Sequence, residues 1–150
     1  MPMLAENKKA RFDYEITETF EAGLLLEGHE VKSVKLGRAN IQGAYAIIRG
    51  NAAFILGMHI PPYQEGNTPS SYDPDRTRKL LLTKKEIAHL GGKTAEKGLT
   101  LLPLGVYTKH GLCKLSLGLG KGKKKTDKRQ TIKARESKRK IERTLKGSAQ

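Results

Sequence analysis

Only one of the 150 residues is cysteine and none is tryptophan. The lone thiol, Cys113, leaves no internal disulfide to staple the fold, which suits a reducing compartment, and a cytoplasmic location is expected. Three Phe and five Tyr are the whole aromatic complement. That is too few to stack a long single strand of nucleic acid base by base, an arrangement worth about 1–3 kcal/mol per ring. No stretch approaches the ~18–20 consecutive apolar residues of a membrane-spanning helix, so no membrane partner is expected. The first nine residues, Met1 to Lys9, contain no apolar run of the kind a signal peptide needs, and none is expected. Acid is scarce as well. Fifteen Asp and Glu stand against 29 Lys and Arg, a formal charge of +14 and a pI near 10.0. Such an excess points to a polyanionic partner.

The charge is unevenly spread. Residues 121–150 hold 13 Lys and Arg against three acids (Asp127, Glu136 and Glu142), net +10, whereas residues 1–120 hold 16 against 12, net +4. The chain therefore reads as a nearly balanced body over 1–120 followed by a basic tail over 121–150. The tail's large apolar residues are Ile132, Ile141 and Leu145. These cannot offset the entropy of ordering it, so it is expected to be disordered when free. Once its charge is neutralised, helix is the expected form. Asp127 is placed to cap, Glu136/Lys140 and Glu142/Lys146 are i,i+4 pairs, and Gly147 is a stop. A solvated tail without a defined fold is the competing reading.

Strand patterns dominate the body. Phe12, Tyr14 and Ile16 alternate with polar residues, and the pattern resumes at Leu24-Leu25-Leu26 across an expected bend at Gly23. Val31, Val34 and Leu36 suggest a short helix over 28–36 stopped by Gly37. Tyr45 to Ile48 and Ala53 to Leu56 flank a hairpin turn at Gly50-Asn51. Residues 61–78 carry four prolines and read as a long exposed loop. Thr83 and Glu86 have capping-box spacing, and the helix they open is expected to end at Gly91-Gly92. Two strands close the body, Thr100 to Tyr107 and Leu112 to Leu119, with Cys113, Leu115, Leu117 and Leu119 on one face, Cys113 as a core residue. The fold class is mainly β: an OB-fold-like antiparallel barrel of five or six strands with two or three short helices and a basic C-terminal tail. A five-stranded SH3-like barrel fits the same pattern.

Catalysis finds no support. His29, His59, His89 and His110 are too widely spaced to pair as metal ligands, and no Ser, Thr or Cys has an identifiable base partner. Gly118-Leu119-Gly120-Lys121-Gly122-Lys123 lacks the spacing of a phosphate loop and reads as a hinge for the tail. No metal, cofactor or enzymatic activity is expected. Three basic groups could meet RNA: Asn7-Lys8-Lys9-Ala10-Arg11, Arg76-Thr77-Arg78-Lys79, and the lysines Lys121, Lys123, Lys124 and Lys125. Each alone reads equally well as a solubilising surface. Together, with aromatics so scarce, they favour a folded RNA read through phosphate, 2′-hydroxyl and shape.

In this order the strings Asn7-Lys8-Lys9-Ala10-Arg11, Phe20-Glu21-Ala22-Gly23, Glu30-Val31-Lys32-Ser33, Arg76-Thr77-Arg78-Lys79-Leu80-Leu81-Leu82 and Gly120-Lys121-Gly122-Lys123-Lys124 with Asp127-Lys128-Arg129 resemble the SsrA-binding protein (SmpB) family of bacterial trans-translation. The resemblance spans roughly residues 7–130. It implies an OB-fold body that grips the elbow of the tRNA-like domain of transfer-messenger RNA (tmRNA) and stands in for the anticodon arm that RNA lacks. It also implies a tail that enters the decoding centre and vacant mRNA channel of a stalled ribosome as a helix, so that alanine-charged tmRNA can resume translation and tag the stalled peptide. RNA contacts are implied at Glu21, Leu81 and Thr83, the last standing where the family commonly has Asn or His. Glu21 also reads as a plain surface acid, and Thr83 as a cap alone. For the tail, Asp127, Lys128 and Arg129 match the family motif. Thr126 precedes them where His is common, and Lys133, Arg135, Lys138, Arg139 and Leu145 continue the ribosome-facing run. A monomer is expected. Composition alone fits a general ribosomal or rRNA-binding protein equally well.

Overall fold

The computed structural model describes residues 3–64, 66, 68–96 and 98–123. Of the expected tail over 121–150, residues 124–150, with the sites placed on them, lie outside the described residues.

The chain runs β1 (Met3–Glu6), α1 (Lys8–Asp13), β2 (Tyr14–Leu24), α2 (Gly28–Lys35), β3 (Tyr45–Arg49), β4 (Ala52–Leu56), β5 (Arg78–Leu81), α3 (Lys84–Thr94), β6 (Leu99–Lys109) and β7 (Leu112–Gly122). All strand pairs are antiparallel, in the order β1-β6-β3-β4-β5-β2-β7, and a β6–β7 pairing closes six of the strands into a ring with β1 added along β6. This is the expected mainly β, OB-like barrel with three helices. Among the described residues it has seven strands rather than five or six. The two unforeseen ones, β1 and β5, are four residues each, too short for an alternation to stand out.

Most of the expected elements form where their chemistry put them. The β3–β4 hairpin turns at Gly50-Asn51, with Arg49 opposite Ala52. α2 carries a capping box between Glu27 and Glu30, and α3 one between Thr83 and Glu86. The inward face of β7 (Cys113, Leu115, Leu117 and Leu119) is buried in a core shared with Ile41, Ile55, Met58, Leu80, Leu90 and Leu101. At the other end of that strand, His110-Gly111 forms a two-residue turn, both residues at positive φ, so that Lys109 faces Leu112.

Five local expectations need correction. Phe12 belongs to α1, not to a strand, because the Asn7 side chain accepts from the Ala10 amide at 3.2 Å and opens a helical turn there. No bend interrupts the next strand: β2 continues through Gly23 to Leu24, and at Gly23 it changes partner from β7 to β5. Helix α3 passes Gly91-Gly92 and ends at Thr94, since burial of Leu90 and a 2.7 Å bond from the Thr94 hydroxyl to the Leu90 carbonyl outweigh the glycines' ~1 kcal/mol penalties. The 61–78 loop, expected to be exposed, is exposed or half-buried over its described residues up to Thr77, but its Arg78 end is buried and belongs to β5, as described below. Finally, Gly118 to Gly122 are strand, not hinge. A Cβ at Gly118 would sit 2.8 Å from Leu104 Cδ1 and 3.1 Å from Ile16 Cγ2, so glycine is there for close approach.

That approach builds a second, smaller apolar cluster on the outside of the barrel: Ala10, Leu102 and Leu104, with Tyr14 and Ile16 against them. A register shift between Ile16 and Glu18 puts the first turn of β2 on the opposite face from Phe20 and Ala22. Beyond it, Thr19, Glu21 and Gly23 point outward.

Candidate nucleic-acid interface

The outer face of β5–β2–β7–β6 gathers two of the three positions the family resemblance implied. Glu21 is exposed on β2, opposite Ser116 of β7, and two residues on Gly23 lies opposite both Lys114 of β7 and Leu81 of β5. Leu81 is 51% exposed although it is a large apolar residue. It rests on bare Gly23, where a Cβ would approach Leu81 Cβ to 3.1 Å. Lys79 is the next outward residue of β5. Thr83 follows two residues after Leu81, but its hydroxyl is engaged in the cap: it accepts from the Glu86 amide at 3.1 Å and donates to Glu86 Oε1 at 3.0 Å.

Around Glu21 the structure assembles a cluster that the reading of the sequence did not bring together. The Tyr107 hydroxyl donates to Glu21 Oε2, and Lys109 Nζ stands 3.5 Å from Oε1. Tyr107 lies on β6, opposite Lys114, so this bond crosses the whole of β7. Two ladder spacings, roughly 9–10 Å, separate β2 from β6. The pair spans them because the intervening row carries only Ser116 and Gly105. The Tyr107 bond, then the charges of Lys109 and Lys114, hold the Glu21 carboxyl below its ordinary range against a partial opposing effect of desolvation. Burial, then the Glu21 carboxylate, push the Tyr107 hydroxyl up to about 12. The pair is thus a carboxylate and a neutral phenol across the physiological range. The outward alternation of Tyr107, Lys109, Lys114 and Ser116 was the one available signal.

The basic groups separate into two kinds. On α1, Lys8, Lys9 and Arg11 are exposed. They come beside Lys121, exposed opposite Glu15 on β2, and Lys123, whose amide donates to the Asp13 carbonyl at 2.9 Å. These form a cationic end about seven strand residues, roughly 23 Å, from Glu21. Asn7, expected among them, is 5% exposed: its amide donates to the Pro103 carbonyl at 3.0 Å and its carbonyl oxygen caps α1.

Arg76 and Arg78 depart further from expectation. Arg78 is fully buried, as is Glu30, and all five of its N–H groups are used. Nε donates to Glu30 Oε2 at 2.7 Å. Nη1 reaches the carbonyls of Met58 and Arg76, and Nη2 the Tyr72 hydroxyl and the Pro74 carbonyl. Arg76 donates to both oxygens of the same carboxylate, Nε to Oε2 at 3.2 Å and Nη2 to Oε1. Burial alone would raise the Glu30 pKa, but hydrogen bonds from Arg76, the Glu27 amide and Arg78 bring it down to about 2. These two arginines tie the 61–78 loop to α2. Arg78 is part of the interior and Arg76 is partly buried over it, so that of this string's basic residues only Lys79 is fully outward.

Among the described residues, no three His, Cys, Asp or Glu side chains converge as a metal site, and no helix is long and apolar enough to cross a membrane. What the fold presents is a small barrel with a cationic end and a mixed acid–phenol–lysine face, the equipment of an RNA-binding module. The comparisons with known proteins agree. Residues 4–147 match the model of the SmpB protein family. An SsrA-binding protein of Thermosynechococcus vestitus is 51% identical over 144 residues, 96% of this chain and 95% of that one. One of Enterococcus faecalis is 51% identical over 146 residues, covering 97% and 94%. A chain from a solved structure of tmRNA–SmpB and the bacterial ribosome is 45% identical, covers 80% of this chain and 84% of its own, and superposes with a TM-score of 0.67. The chain belongs to the SmpB family. Its relatives are named for binding, in keeping with the expectation of a non-enzymatic protein.

Proposed function

We propose that this protein binds tmRNA in the bacterial cytoplasm and brings it, charged with alanine, to ribosomes stalled without a message. The observation that carries this reading is identity of about one half, over nearly the whole length, to proteins named SsrA-binding protein. The body takes the tRNA-like domain of tmRNA and supplies the bulk of the missing anticodon arm. Glu21, Leu81 and Lys79 face that RNA, while Lys8, Lys9, Arg11, Lys121 and Lys123 steer phosphate at the other end. The residues after Lys123, with Asp127-Lys128-Arg129, enter the empty mRNA channel. Support for dividing the work this way is the +4 and +10 charge split.

Competition binding tests the first half. The tRNA-like domain of tmRNA should outcompete bulk tRNA and 5S RNA, and equal competition would favour a general rRNA-binding protein. Truncation after Lys123 tests the second. The shortened chain should keep its hold on the tRNA-like domain and lose peptide tagging on stalled ribosomes. Loss of both in proportion would refute the division of labour.

A further inference from the structure

An acid on a phosphate-facing surface is repelled unless its oxygens accept hydrogen bonds from the nucleic acid. Glu21 is such an acid, exposed on the outer sheet face and kept ionised by Tyr107 and two lysines. A carboxylate can accept at about four lone-pair positions. Tyr107 takes one on Oε2, Lys109 approaches one on Oε1 at a loose 3.5 Å, and two remain for a ligand. Two adjacent acceptors call for two adjacent donors. Among the four bases only guanine offers that on its Watson–Crick edge, with N1–H beside the N2 amino group. Adenine and cytosine put a ring-nitrogen acceptor beside their amino donor, and uracil flanks its N3–H with carbonyls. A base read on that edge must be unpaired, as in a loop.

We infer that Glu21 reads the Watson–Crick edge of an unpaired guanine in the bound RNA, and that Tyr107 is the positioning residue that fixes its carboxylate for this, with Lys109 and Lys114 meeting the neighbouring phosphates. The inference rests on the RNA-binding role proposed above and adds a base identity and three residues to it. Geometry supports the positioning role. The Tyr107 bond reaches across β7 and pins one oxygen, while the half-buried ring holds the phenol in place. Leu81, exposed beside Gly23, offers an apolar surface at the same site.

Inosine interference tests this. The tRNA-like domain of tmRNA is transcribed with occasional inosine for guanosine, which removes only the N2 amino group, and bound by the full-length protein. One loop guanosine, or a very few, should show about tenfold weaker binding when replaced, the size expected for one hydrogen bond to a charged group. In Glu21→Ala that interference should vanish. In Tyr107→Phe, which keeps the ring, it should shrink severalfold. A merely structural Tyr107 would weaken binding to guanosine and inosine RNA alike and leave their ratio untouched. Lys109→Ala should keep the ratio and lower the log–log salt slope by about 0.7–0.9. Identical interference maps for the native protein and Glu21→Ala would overturn the inference while leaving the RNA-binding role standing. A native protein that does not prefer the tRNA-like domain to bulk tRNA would overturn that role, and this inference with it.

Discussion

Two carboxylates in this barrel are each met by two cations and a tyrosine, and they end up with opposite jobs. Glu30 is fully buried, with Arg76, Arg78 and Tyr72 converging on it. Glu21 stands on the outer sheet face with Tyr107, Lys109 and Lys114. The difference lies in the cations and the solvent. Arg78 spends every N–H inside the protein, two of them across a rigid planar fork, so nothing remains to offer a ligand. Lysine at the surface keeps its donors in water and can exchange a carboxylate for a phosphate. The same set of residue types therefore makes a clamp when dry and a contact surface when wet.

Breaking the clamp should have the largest effect. Glu30→Ala leaves two arginines unpaired, one of them wholly buried, and should destabilise by about 3–5 kcal/mol in chemical denaturation. A loss below about 1 kcal/mol would mean water reaches the cluster and the burial argument fails. Next in size is the acid limb. The Glu30 pKa is lowered from 4.5 to about 2, so its stabilisation is complete above pH 4.5 and drains away as pH falls toward 2. That shift corresponds to about 3 kcal/mol. Denaturation curves across this range should show the decline, and Glu30→Gln should remove that share of it.

Local pattern was enough for most of the elements and not for this cluster. The alternation of Cys113, Leu115, Leu117 and Leu119, the Thr83/Glu86 box and the Gly50-Asn51 turn are each contained within a few residues, and each formed as expected. Glu30 reads as an ordinary polar position on α2, and its partners lie 46 and 48 residues away in a string that looks like a basic patch. Nothing in a run of Arg-Thr-Arg-Lys says which arginine turns inward until β5 pairs and its alternation begins. Tyr107 was hidden in the same way, since its partner lies two strands over and 86 residues back. The register shift after Ile16 belongs to this group too, because period-two reading assumes that no residue is inserted.

A smaller effect sharpens the distinction between strand and hinge at the body's end. Gly118→Ala would press a methyl against Leu104 and Ile16 and should destabilise by about 1–3 kcal/mol. A flexible linker at this position would tolerate the change or gain from it.

The smallest effect on folding belongs to the wet cluster, and it is the one that separates site from scaffold. Glu21 is exposed, and its partners keep water when it is removed, so Glu21→Ala should leave the denaturant midpoint where it is. Binding to the tRNA-like domain should nevertheless weaken, and more than binding to unrelated RNA, because what is lost is a directed acceptor rather than a charge. Removing an acid from a surface otherwise rich in lysine raises net charge and by itself tightens non-specific RNA binding. The two effects have opposite signs and can be read in one titration series at two salt concentrations. If Glu21→Ala binds every RNA better, the carboxylate is only a surface acid, and the likeness between the two clusters ends at their composition.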